Sequence, residues 1–295
     1  MIFFYAIVKP IKPSCILLAG GYGGSPLESG ELLMGNCANK QLPNLPQGIF
    51  NSSMVIHNDS ILLIGGENNK QKCLFLDDDN TWKEHSVLNR ERDCASAVAT
   101  SKSTFVFGGY GNPNRYEYLP KHSTTWHVGK PKIPGKKFVN GCAIAVKSEQ
   151  EIWLIGGEGT EDRIVSFNVH NHYFKKLSSK LNDGRRGHRC AFIPNTNKVI
   201  VTGGYDVDYC NFLSSTEILD TEDESVTIGS PMNCERYGHG IGVITINGED
   251  RLAVFGGSDG NDFLDSVELY NVQTQMWERS DIKLDNCKRS FGFLS

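Results

Sequence analysis

The chain lacks a basic surplus: 30 lysines and arginines stand against 34 aspartates and glutamates, for a formal net charge of -4. That excludes the dense cationic footprint by which proteins hold nucleic acid or anionic membrane surfaces. Long hydrophobic runs are missing as well. The longest, Met1 to Val8, is closed by Lys9 and Pro10 and covers less than half of the ~20 residues a spanning helix needs. As a secretory signal it lacks a basic leading region and a small-x-small cleavage site, so a leading strand or a truncated start is the better reading. Helical apolar periodicity of useful length is absent, and so are the G-x-S-x-G, H-E-x-x-H and Walker-type patterns of common hydrolytic and nucleotide-binding sites.

What is abundant is glycine, at 31 of 295 residues, against a usual ~7% and without a collagen period. The glycines mark a repeat. An aliphatic or β-branched block ending in Gly-Gly recurs six times, with doublets beginning at Gly20, Gly65, Gly108, Gly156, Gly203 and Gly256. Each unit reads as four short strands. In the second these are Phe50 to His57, Ser60 to Ile64, Gln71 to Leu76 and Thr81 to His85; in the last, Gly238 to Ile244, Arg251 to Phe255, Asp265 to Tyr270 and Gln275 to Glu278. Trp82, Trp126 and Trp277 mark the fourth strand of three units, with Tyr173 or Phe174 and Val226 in that place in two others. An aromatic there can cover the outer strands and pack on the neighbouring unit. The fold class is therefore all-β. A glycine at a strand end can take positive φ and admit a neighbouring backbone, as sheets stacked round a common axis require.

The combination of Gly256-Gly257, Tyr270 and Trp277 on one unit, echoed with losses on the others, resembles the kelch repeat. That resemblance covers residues ~14 to 295 and implies a six-bladed β-propeller of four-stranded antiparallel blades. The first unit departs most from the pattern: Glu28 to Met34 is followed by no tryptophan, and Cys37 to Leu42 must serve as its fourth strand. Later units have an inner strand led by a basic residue, as in ERDCASAV, RRGHRCAF and ERYGHGIG, whereas the first has none. The chain ends with CKRSFGFLS, so Arg289 to Leu294 is expected to supply it and close the ring. Residues 1–13 form a leading segment outside the single propeller domain of residues 14–295.

Function in a propeller belongs to its loops. The loop after each Gly-Gly and the loop entering each inner strand fall on one face, which gathers tyrosines, carboxylates and cations. The candidate partner-binding residues there are Arg92, Tyr110, Arg115, Arg163, Arg186, Tyr205, Asp208, Tyr209, Arg236, Tyr237 and Arg289. Tyrosine and arginine commonly dominate binding free energy, and arginine pairs bidentately with carboxylates. The alternative for several arginines is a bond to a neighbouring backbone carbonyl.

The resemblance implies a non-catalytic module binding a protein or peptide. Many relatives recognise substrates for ubiquitin ligases, but carry a BTB domain in the same chain; here that role needs an adaptor on another polypeptide. Neither a cofactor nor a metal is expected, and the chain is read as a monomer, with the cytoplasm favoured over secretion. The rival readings are a secreted, disulfide-containing propeller that binds an extracellular protein or glycan, and a metal-dependent enzyme acting in the central channel. For the last, His170 and His172 lack an evident third ligand, and His188 and His239, in RRGH and RYGH, look structural. Cys94, Cys142 and Cys190 sit near equivalent inner-strand registers and read as core; Cys234 and Cys287, in corresponding loops of adjacent blades, could pair.

Overall fold

The computed structural model describes residues 15–36 and 38–294. Six four-stranded antiparallel sheets account for the architecture, five with their strands in sequence order from the axis outward and one with the C-terminal strand innermost. Inner strands are Gly292–Leu294, Ser53–His57, Ser96–Ala99, Cys142–Val146, Arg189–Phe192 and Gly240–Ile246 for blades 1 to 6. Second strands are Cys15–Ala19, Ser60–Ile64, Ser103–Phe107, Glu151–Ile155, Lys198–Thr202 and Glu249–Phe255. Blade 5 carries an additional hairpin, Tyr205–Asp206 paired with Asn211–Phe212. Among the described residues no helix is long and apolar enough to cross a membrane.

The second strands read as solid aliphatic runs because both of their faces are buried. Side chains alternate across a strand, so Ile61 and Leu63 enter the cluster shared with blade 1 while Leu62 and Ile64 enter the cluster shared with blade 3. Blade 1 does the same with Leu17 and Ala19 on one side and Ile16 and Leu18 on the other. Six apolar clusters result, one for each interface between adjacent blades. The tryptophans act as expected at these seams. Trp82 donates to the Pro43 carbonyl of blade 1 at 3.1 Å, and Trp126 to Ser86 of blade 2 at 3.0 Å. In the fourth unit Phe174 is the buried aromatic, and Tyr173 is 66% exposed.

Closure follows the expected register: Leu17, Leu18 and Ala19 pair with Leu294, Phe293 and Gly292. The strand itself begins at Gly292, and Arg289 joins the blade through paired backbone bonds with Tyr22 instead. In blade 1 the fourth strand is Lys40–Leu42; Cys37 and residues 1–13 lie outside the described residues.

A backbone collar ties the blades at one end of the channel. Asn51 donates its N–H to the Ser290 carbonyl, Cys94 to Asn51, Asn140 to Cys94, Gly187 to Asn140, Gly238 to Gly187 and Ser290 to Gly238, at 2.5–3.2 Å. The circuit takes one residue from each blade and returns to its start. All six have positive φ, between 53° and 65°, which turns each N–H and carbonyl along the ring. Asn51 therefore lies in the collar, ahead of the inner strand in which its sequence pattern placed it.

The glycine doublets face the next blade. At Gly108, with φ +63°, a Cβ would lie 1.8 Å from the Phe138 carbonyl oxygen, and the N–H of Gly109 donates to that same oxygen at 2.9 Å. The five equivalent contacts involve the carbonyls of Ile49, Arg92, Arg185, Arg236 and Lys288.

Candidate functional site

Those carbonyl-bearing positions lie two residues before the collar, and four of the six are cations. The structure corrects the expectation that Arg92 and Arg236 lie on the binding face: they are 1% and 0% exposed. Arg92 pairs with Glu117 at 3.1 Å, Arg185 with Glu217 at 2.9 Å, Arg236 with Glu268 at 3.1 Å and Lys288 with Glu31 at 2.6 Å. Each glutamate sits on the third strand of the same blade. The guanidiniums also donate to the first glycine carbonyl of that blade's doublet, Arg236 to Gly256 at 2.8 Å for example. The other glutamate oxygen accepts two bonds from Asn89, Asn182 or Asn233. These are internal fasteners, which is the alternative in which an arginine bonds to backbone, with a carboxylate added. Burial pushes the pKa of Glu268 up, but the Asn233 bonds and the Arg236 charge outweigh it, so the carboxyl stays below its ordinary value.

Blades 2 and 4 show what the fastener replaces. At the same two positions they carry Ile49 with Leu74 and Phe138 with Val165, each pair within a single apolar cluster. The cation and the glutamate are present together or replaced together.

One residue further on, at the mouth of the channel, side chains do reach the surface. Arg186 lies over the Tyr205 ring at 5.4 Å, with a guanidinium nitrogen 3.9 Å from Glu158. Arg289 stands 5.6–5.9 Å from the rings of Tyr22, Tyr237 and Phe263. Phe212 links the two groups by contacting Tyr205 and Tyr237, and Phe50 extends the aromatic surface from Tyr22. Tyr110, 44% exposed, donates to Glu158 at 2.6 Å; that bond to a carboxylate raises its hydroxyl pKa. Lys137 also pairs with Glu158. Among the described residues Arg289 has no carboxylate within ion-pair distance.

Of the sequence-derived candidates, Arg186, Tyr205, Tyr237 and Arg289 thus come together, and Tyr110 adjoins them through Glu158. Asp208 and Tyr209 are exposed at the tip of the blade 5 hairpin, their N–H groups held by Asp206. Arg115 precedes and Arg163 opens a third strand further out: Arg115 donates to the Lys130 carbonyl at 2.6 Å, and Arg163 is exposed beside Lys180. Sequence reasoning passed over Tyr22, Phe50, Phe212, Phe263 and Glu158. Two of these had a legible signal, since Tyr22 follows its doublet as Tyr110 and Tyr205 do, and Phe50 shares the register of Arg186, Tyr237 and Arg289.

The histidines and cysteines take structural places. His188 and His239 are fully buried, His188 against the Ile155 carbonyl at 3.0 Å and His239 against the Thr202 hydroxyl at 2.8 Å. His172 bonds to the Tyr116 hydroxyl at 2.9 Å, within an aromatic cluster. No group of three His, Cys, Asp or Glu side chains suited to a metal occurs among the described residues. Cys142 and Cys190 form a disulfide, with Cα atoms 6.1 Å apart, joining the inner strands of blades 4 and 5. This replaces the expectation of two packed thiols. Cys94 stays a buried thiol, and Cys234 and Cys287 are unpaired, with Cys234 facing Glu268 at 3.3 Å.

Six radial antiparallel sheets, a backbone collar and a closing C-terminal strand define a six-bladed β-propeller. Comparison with known proteins agrees. The kelch motif matches residues 185–233 and 250–280. A kelch repeat-containing protein of Dictyostelium discoideum is 26% identical over 154 residues, which is 50% of this chain and 22% of that protein. The chain thus spans under a quarter of that relative's length. The solved structure of YjhT superposes with a TM-score of 0.70 at 14% identity, over 84% of this chain and 88% of that one. The kelch match thus lies on the fifth and sixth blades, and the superposition carries the propeller fold over most of the chain.

Proposed function

We propose that the chain is a non-catalytic interaction module, seating a protein or peptide partner on the loop face round the channel mouth in the manner of a substrate-recognition subunit. The observation that carries this reading is the contact between the guanidiniums of Arg186 and Arg289 and the connected rings of Tyr22, Tyr205, Tyr237 and Phe263. Preformed aromatic and arginine anchors at a concave opening are the side chains that dominate interface energetics. The test is quantitative affinity capture with the wild type, an Arg186→Ala/Arg289→Ala variant and an Arg115→Ala control. Partners retained by the wild type and the control should fall at least about tenfold in the double variant, as expected for truncated anchors. Undiminished recovery by the double variant refutes this face as the site.

The Cys142–Cys190 bridge favours a second reading, a secreted propeller binding an extracellular protein or glycan, because such bonds persist in oxidising compartments. With that bridge in place, titration of the denatured chain yields at least two fewer thiols before reduction than the nine found after it. Nine before reduction removes this reading.

A further inference from the structure

The central channel encloses a cavity of about 550 Å³, within the range of small-ligand sites. Its wall is formed by inner strands, with Ala97, Ala99, Ala143, Ala145 and Ala191 keeping it open. Set in this wall below the collar is one cation, Arg189. Its guanidinium donates to the His188 carbonyl at 2.9 Å and lies 5.8 Å from the Phe293 ring. An arginine has five N–H donors in a planar fork, so most of the fork is left facing the cavity.

Among the described residues no carboxylate lies within ion-pair distance of Arg189. The groups whose charge would offset its desolvation are Tyr237 and Cys94, and burial holds both protonated by raising their pKa values. The imidazoles of His188 and His239 nearby are neutral for the same reason. Asp93, next to Cys94 at the collar, is itself shifted upward by burial. A half-buried cation without a counter-charge thus lines an open cavity. A second unmet group lines the same cavity: Ser52, 9% exposed, has a buried hydroxyl with no partner. Above the collar, Arg186 and Arg289 add positive charge along the route of entry, on a chain whose net charge is negative.

We propose that the channel is a carboxylate-binding site in which Arg189 is the anion-binding group. The carboxylate takes the free edge of the guanidinium fork, and its attached body lies against the alanine wall. The carboxylate could belong to a free small acid or to an acidic residue of a peptide inserted through the mouth. This proposal does not depend on which partner covers the mouth.

The test follows the backbone amide resonances of the channel-lining residues Ala143, Cys190 and Ala191 in the wild type, Arg189→Gln and Arg189→Lys by NMR, with sodium chloride at matched ionic strength as the blank. The probes are sodium acetate and the capped tripeptide acetyl-Gly-Glu-Gly-amide, the latter compared with its Gln counterpart. In the wild type both carboxylates should give saturable shifts that chloride does not, and Arg189→Gln should weaken them at least tenfold. Arg189→Lys, which keeps the charge but loses the fork, should fall between. Intact Gly187 and Gly238 amide resonances, reporting the collar, certify that the variants are folded. A tripeptide at least tenfold tighter than acetate, and tighter than its Gln form, assigns the site to peptides; equal affinities assign it to small acids. No saturable response to either carboxylate, or an equal response in folded Arg189→Gln, overturns the proposal.

Discussion

Replacing Arg236 by isoleucine should destabilise the propeller by roughly 3–5 kcal/mol, the range found when one member of a buried ion pair is removed. Glu268, 2% exposed in the native fold, would keep the Asn233 bonds but lose its cation, the Gly256 carbonyl would lose its guanidinium donor, and the Ser266 carbonyl would keep only the Gly256 N–H. Glu268→Leu should do comparable damage by stranding the guanidinium. The double variant Arg236→Ile/Glu268→Leu should be more stable than either single one, because the chain already holds that solution as Ile49 with Leu74 in blade 2. Two apolar groups require no desolvation of charge, so their burial can match that of a well-made ion pair. Urea unfolding of the four proteins, with the Cys142–Cys190 bridge intact, measures the cycle. Additive losses in the double variant would show that the pair is not the unit.

This fastener also explains how far the sequence could be read. The six doublets and the closing strand were legible because they follow from strands buried on two faces and from a repeat whose first unit lacks one strand. The roles of Arg92 and Arg236 were not, since position before an inner strand fixes a residue's place on the chain but not whether its side chain turns outward or back into its own blade. The decisive signal was a covariation between blades: a glutamate two residues into the third strand wherever the cation occurs, and an apolar residue wherever it does not. One position later the side chains do turn toward the mouth, as at Arg186 and Arg289, whereas Arg92 and Arg236 turn back into their blades. The collar left no such trace, because Asn51, Cys94, Asn140 and Ser290 share a backbone conformation and no side-chain chemistry. The disulfide was hidden for a related reason. Cys142 stands two residues past its collar residue and Cys190 three past its own, and only the geometry between adjacent inner strands shows that this offset brings them together.

Acid should destabilise the fold well before its carboxylates are protonated. Burial is the largest cause that lowers the pKa of His188, to about 3 from an ordinary 6.5, helped by the Arg185 and Arg189 charges. His239 is likewise held well below 6.5, by burial and by the Arg189 and Arg236 charges. The unfolded chain therefore takes up a proton at each imidazole as pH falls below 6.5, while the folded chain does not. The stabilisation is complete above the unfolded value and is lost as pH falls through the interval toward the folded one. Each such histidine contributes a slope of about 1.4 kcal/mol per pH unit in that interval, so the two together give close to 3 kcal/mol per unit. Carboxylates such as Glu268, with lowered pKa values, add their share only nearer pH 4. His57, His85 and His172 are also lowered by burial and add to the total, so the isolating measurement is a difference. Urea-derived stabilities of the wild type and His188→Gln, taken from pH 7 to pH 5, should converge as pH falls, with the variant's slope shallower by about 1.4 kcal/mol per unit below pH 6. Parallel curves would mean that His188 is protonated in the folded state, and that the bond it makes to the Ile155 carbonyl is not holding a neutral ring.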